Sequence, residues 1–493
     1  MGENEVLPSQ PTQADERGDS VGDTPGGQRW HSWTTTGAGF ALPWGLATVF
    51  FVMYSAVSVR LHQRMLTTGY DLGIFEQAVR AYASGHAPAS ALKGPGFNLL
   101  GDHFSPILAG LAPFYRVFPS PLTLLVAQAA LFAVAVVPLS RWAAATRGRA
   151  AALVIGVGYG ASWGIASAVG FDFHEICFAV PLVALAVTAL GTGRWRAAVW
   201  WALPLLLVKE DLGLTVVAIG AYIAWRGPRR LGLVAAAAGL TGTLLEALLL
   251  IPAFNPGHAY AYGINGSGSR DGGLAVLLLH APLDLLSPRD KVLTSLLLLA
   301  PTAFMALRSP LTLLVTPTLA WRFLSPNPFY WGTGFHYSAI LMPIVFGAFI
   351  HSLSRWVPGD TPANRRTLRA GLTVSAAVTI LLIPTFPLSQ LARPATWRNP
   401  ARVDAAHRIM DLIPDGATVA ASNRLVPQLT NRATVTEFGL PESTAAPQWI
   451  IVDVAEPSGW PVTGSQQAQL IDEARNRGYR TVTEGNGFIL LRR

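Results

Sequence analysis

Five short polar clusters interrupt the apolar part of this chain, and their residue types suit proton and phosphate chemistry. They are Asp71 in TGYDLGIFEQAVRA, Asp102–His103 in LLGDHFSPIL, Asp172, His174 and Glu175 in FDFHE, Lys209–Glu210–Asp211 in VKEDLGL, and the region of Asp271. Asp71 stands at the head of an amphipathic stretch, where a carboxylate can cap a helix or take a proton from a hydroxyl. Glu76 lies five positions on, well round the helix from Asp71. Asp102 and His103 can hold a divalent cation or orient a substrate hydroxyl; a loop hydrogen bond is the competing reading. Ionisable groups at membrane depth default to function, so Asp172, His174 and Glu175 compete only with a solvated loop. The His174–Glu175 pair is not a zinc-protease motif, because no second His follows at the required spacing. Lys209 is one of only three lysines among 36 basic residues. Its ammonium suits a phosphate oxygen, unless it merely neutralises Glu210 and Asp211. Arg322 and His336 flank the aromatic stretch SPNPFYWGTGFHY and are further phosphate-binding candidates. Glu246 lies inside an apolar run. No Gly-rich phosphate loop, esterase elbow or kinase set is present.

The elements that must position these groups are membrane spans. The chain has 493 residues, 51% hydrophobic and 13% charged, where soluble domains carry about 25% charge. Runs of roughly 17–25 apolar residues recur, each long enough to cross a bilayer as a helix. About eleven spans are expected. The loops between them fall into two classes. Arg141–Arg149, Arg194–Arg196, Arg226–Arg230, Arg308 and Arg355–Arg369 carry arginine and almost no acid; the polar clusters fill the other loops. Short cytoplasmic loops collect Lys and Arg, so the polar chemistry gathers at the outer face. The net charge of +8 is largely spent on this orientation. It does not point to nucleic acid. The single cysteine, Cys177, excludes an internal disulfide.

The expected organisation has three parts. Residues 1–38 read as a disordered cytoplasmic tail. Residues 39–392 form the transmembrane domain, whose long first outer loop, 60–119, carries amphipathic helices. One stripe there is Leu72, Phe75, Val79 and Tyr82; another helix starts at Ser105-Pro106. The outer loop at 253–290 is rich in Gly, Asn, Ser and Tyr and suits a lid. Residues 393–493 change character to a small extracytoplasmic α/β domain with strands at ATVAAS, ATVTEF, QWIIVDV, YRTVTE and FILLRR. A final hairpin is expected at Gly485-Asn486-Gly487. The terminal domain offers no catalytic set and would guide substrate or dock a partner.

Taken together, YDLGIFEQAVRAYASG, GDHFSPIL, FDFHE, VKEDLGL and VAASNRLVPQLTNR resemble the bacterial membrane family called domain of unknown function 2079 (DUF2079). That family is similar to the GT-C superfamily of integral-membrane glycosyltransferases. The resemblance implies a GT-C-like fold in the bacterial plasma membrane, with the amino terminus cytoplasmic. It implies a polyprenyl-phosphate-linked sugar as donor and an envelope acceptor. By position, Asp71 corresponds to the acidic residue GT-C enzymes use as catalytic base. Many of them carry an adjacent pair of acids there; here Leu72 follows, and Asp102 is the candidate second carboxylate.

The leading expectation is therefore sugar transfer at the outer face. The departing lipid phosphate would be met by Lys209, Arg322 or His336, with His103, Asp172, His174, Glu175 and Glu210 lining the donor site. The sequence assigns no cofactor, and a divalent cation stays open. The alternatives are a transporter or flippase, whose sites lie near the bilayer midplane, and a non-catalytic envelope assembly or sensor protein.

Overall fold

A computed structural model describes residues 37–262, 287–359, 361–440 and 446–493. The amino-terminal tail, Asp271 and most of the proposed lid lie outside these residues. Among the described residues, four helical stretches are long and apolar enough to cross a membrane: Ala41–Gln63, Pro121–Gly160, Arg229–Phe254 and Pro362–Thr385. Ile176–Gly191 and Trp195–Leu207 are shorter apolar helices. The expected break across Arg141–Arg149 is not a loop. Helix continues to Gly148, whose φ of 81° reverses the chain. Only glycine adopts that conformation freely. The two arms then pack on one another, with Ser140 Oγ donating to Ala152 O at 3.1 Å. Arg147 lies at this turn and donates to Leu353 O at 2.5 Å and Val357 O at 2.6 Å. It thus satisfies carbonyls at the end of the helix Leu341–Trp356.

The segment 60–119, expected as the first outer loop, is ordered. Helix Ile74–Ala83 buries Phe75 and Val79, as its apolar stripe requires. It also buries Glu76 and Gln77, because it is packed on both sides. Gln77 Nε2 donates to Val435 O at 2.8 Å, and Arg80 Nη1 donates to Thr430 O at 2.6 Å. Those acceptors belong to the carboxyl-terminal segment.

That segment forms a five-stranded sheet in the order β2-β1-β3-β5-β4. The strands are β1 Thr418–Ala421, β2 Thr434–Glu437, β3 Trp449–Asp453, β4 Arg480–Gly485 and β5 Phe488–Arg492. β1 runs parallel to β2 and β3; β5 is antiparallel to β3 and β4. The β4–β5 turn places Asn486 at φ 52° and Gly487 at φ 85°, the conformation a two-residue hairpin turn demands. β3 is buried along its whole length, as a central strand covered on both faces should be.

Candidate active site

Asp71 sits in a short turn, Gly69–Gly73, ahead of the helix and not at its cap. The cap of Ile74–Ala83 is Gly73, with no side-chain hydrogen bond. The capping role open to Asp71 on sequence grounds is therefore absent. The turn is held from two sides. Asp172 accepts the Thr68 N–H at 3.0 Å and also the Thr68 hydroxyl. Asn423 Oδ1 accepts the Gly69 N–H at 2.8 Å. A Cβ on Gly69 would stand 2.9 Å from Val426, so the close approach needs glycine.

Asp71 opens into a cavity of about 170 Å³ lined also by Tyr70, Lys93, Asp102, His103, Ser105, His174 and Tyr262. A larger, open hollow of about 580 Å³ lies among Arg194, Trp195, Arg196 and Arg230. It holds no acid or base other than arginine, so the smaller cavity is the one suited to proton transfer. Burial raises the Asp71 pKa, and Glu175 adds to this, while His174, Lys209 and His103 pull it back. The carboxylate is a stronger base for it.

The remaining clusters are joined by ion pairs. Asp102 contacts Lys93 at 2.9 Å and receives the Tyr262 hydroxyl at 3.3 Å. His103 Nδ1 lies 2.7 Å from Glu210 Oε1, and its ring stacks on Tyr262 at 4.5 Å. Tyr260 also donates to Glu210, at 2.8 Å. Burial opposes the Glu210 charge, yet His103 and Lys209 bring its pKa down to about 2. Asp211 moves the other way, up to about 6, chiefly through burial.

Lys209 contacts Glu175 Oε1 at 3.1 Å, and His174 Nδ1 contacts Glu175 Oε2 at 2.6 Å. Both are close contacts without hydrogen-bond geometry, since Glu175 Oε1 and Oε2 and His174 Nδ1 have no hydrogen-bond partner. Burial penalises the Glu175 charge, but His174 and Lys209 overcome it and hold the carboxyl well below its usual range. Lys209 is thus paired with Glu175, not only with its sequence neighbours, and it does not line the cavity.

Two expected phosphate ligands are placed differently. Arg322 is fully buried and donates to Tyr330 O at 2.8 Å, Gly332 O at 3.0 Å and Ser338 Oγ at 3.1 Å. It organises the aromatic loop and has no face toward the cavity lining. Asp172 is also buried, bound to the turn that carries Asp71. His336 stacks on His174 with ring centroids 3.4 Å apart. Burial, and then the neighbouring His174 and Lys209, push its pKa well below normal. Asp71, His174 and His336 each offer a ligand atom within 4.8 Å of the others. Among the described residues, Asp102 and His103 belong to no such cluster. Sequence reading missed Lys93, Tyr262 and Asn423. Lys93 had a signal, as one of three lysines; Asn423 had none beyond its place in VAASNRLVPQLTNR.

A family model described as "Predicted membrane protein (DUF2079)" matches residues 61–490. The chain belongs to the DUF2079 family. No curated protein matches it. Solved structures share the fold of this DUF2079 chain. ArnT from Cupriavidus metallidurans bound to undecaprenyl phosphate has a TM-score of 0.56 at 13% identity, covering 90% of this chain and 97% of that one. ArnT from the same organism in the apo state has a TM-score of 0.54 at 14% identity, over the same shares. The DUF2079 chain is thus a membrane protein with an ArnT-like fold.

Proposed function

We propose that this protein transfers a sugar from a polyprenyl-phosphate carrier to an acceptor hydroxyl at the outer face of the bacterial plasma membrane. One observation carries the reading: the Asp71 carboxylate, its basicity raised by burial, opens into the same cavity as the Lys93 ammonium. The fold likeness to ArnT, crystallised with undecaprenyl phosphate, supports it.

In the reaction, Asp71 accepts the proton of the acceptor hydroxyl as that oxygen attacks the anomeric carbon. The bond from that carbon to the carrier phosphate breaks through an oxocarbenium-like state. Lys93 meets the charge that grows on the departing phosphate. We move this role from Lys209 and Arg322 to Lys93, because Lys93 lines the cavity and they do not. Asp102 holds Lys93 in place at 2.9 Å. The arginine turns then face the cytoplasm, and the cavity and the terminal sheet face outward. Arg229 begins a 26-residue helical stretch, about 39 Å long. Asn255, just past its far end, donates to Gly101 O beside the site at 2.7 Å.

The test is reconstitution with radiolabelled polyprenyl-phosphate sugars, comparing wild type with Asp71→Asn. Transfer by the wild type, lost by about 10²–10⁴-fold in the variant, is expected. A fully active Asp71→Asn protein overturns the assignment.

A further inference from the structure

Three donors at the site lack an ordinary partner. The Asp71 carboxylate makes no hydrogen bond or ion pair among the described residues. His336 is 4% exposed, and its Nδ1 is buried without a hydrogen-bond partner. His174 Nδ1 stands 2.6 Å from Glu175 without a hydrogen bond. All three donor groups come within 4.8 Å of one another.

We infer that Asp71, His174 and His336 bind one divalent transition-metal ion, of the zinc or manganese kind. Two imidazoles and one carboxylate suit such ions, while magnesium and calcium prefer oxygen alone. Three protein ligands leave a coordination position open, as in catalytic and not structural sites. Asp71 and His174 both line the 170 Å³ cavity, so that position faces where substrate enters. Glu175 stands behind His174 as the outer carboxylate that metal-bound histidines commonly have. Lys209 in turn fixes Glu175 at 3.1 Å.

The two rings stack with planes 22° apart, so a shared ion needs one ring to turn. His336 is that ring, since its Nδ1 has no hydrogen-bond partner, whereas His174 Nδ1 stands 2.6 Å from the Glu175 carboxylate. The catalytic meaning of the ion rests on the sugar-transfer reading: one Asp71 oxygen on the ion leaves the other for the acceptor proton. The binding itself does not rest on it.

The experiment uses the full chain, purified in detergent and stripped with a chelator. Zinc is titrated back by calorimetry, and bound metal is counted by elemental analysis. One ion per chain is expected in the wild type. His174→Ala and His336→Ala should lose binding by at least about 100-fold, and Glu175→Gln by about 10–100-fold. No stoichiometric zinc in the wild type, or unchanged affinity in both histidine variants, overturns the site. If the variants do not fold, cobalt(II) added to the wild type decides. A visible spectrum of four-coordinate cobalt supports the site, and the spectrum of hydrated cobalt alone sinks it. Sugar transfer that persists after full chelation, with no metal bound, defeats the catalytic meaning of the ion while leaving the transferase reading intact. Stoichiometric metal without any transfer defeats the transferase reading and leaves the binding site intact.

Discussion

Asn423 Oδ1 accepts the backbone N–H of Gly69 at 2.8 Å, two residues before Asp71 and 354 residues away in the chain. The Asn423 carbonyl accepts the same N–H at 2.9 Å. The turn that follows β1 therefore grips the turn that presents the candidate base. Removing the side chain alone should loosen the turn without unfolding it, because the backbone contact survives. Asn423→Ala is expected to cost about 0.5–1.5 kcal/mol of stability. Its transfer rate should fall toward 100-fold, as about 1 Å of misplacement does. Asn423→Asp keeps the acceptor and should recover most of the rate with KM little changed. Equal rates for the Ala variant and wild type would detach the sheet from the chemistry.

Lys209 and Lys93 should separate cleanly. Glu175 is fully buried, and Lys209→Met strips it of its ammonium partner. Breaking a buried pair typically costs about 3–5 kcal/mol, so this variant should melt well below wild type. Lys93 is 19% exposed at its side chain. Lys93→Met should keep the melting temperature and weaken polyprenyl-phosphate binding, read by lipid titration. A stable Lys209→Met protein that no longer binds carrier would return the phosphate role to Lys209.

Glu76 links pH to stability. It is fully buried, accepts the Tyr115 hydroxyl at 2.7 Å and the Thr430 hydroxyl, and its pKa is lifted to about 7 from 4.5, chiefly by burial. The folded state therefore holds the proton more tightly than the unfolded chain. The associated stability is complete below about pH 4.5 and is lost as pH rises through 7. The size is on the order of 3 kcal/mol. Thermal melts across this window should fall with rising pH, and Glu76→Gln should flatten that slope. A slope unchanged in Glu76→Gln assigns it elsewhere.

Orientation is open to labelling, and the chain suits it because Cys177, its single cysteine, is buried. Arg149→Cys lies beside the Gly148 turn, and Gln469→Cys lies on the helix Gly464–Asn476. In intact cells an impermeant thiol reagent should reach the second and not the first. The opposite pattern would invert the proposed topology along with the outer-face site.

Apolar run length and loop composition made the membrane class legible from the sequence. Both are local properties: a bilayer responds to about 20 consecutive residues, whatever the rest of the chain does. The family motifs were legible in the same way. The grouping of the polar residues was not. Lys209 seemed matched to Glu210 and Asp211 beside it, yet Glu175, 34 positions away, takes its ammonium at 3.1 Å. Arg322 seemed a phosphate ligand, yet folding turns its donors onto Tyr330 and Gly332. His174 and His336 are separated by 162 residues and stack ring on ring. A buried charge must be paired wherever packing brings a partner, and which partner arrives is decided by long-range contact between helices and sheet. The sequence carried the inventory of acids, imidazoles and lysines; only the tertiary structure decided which share a cavity and which hold the scaffold.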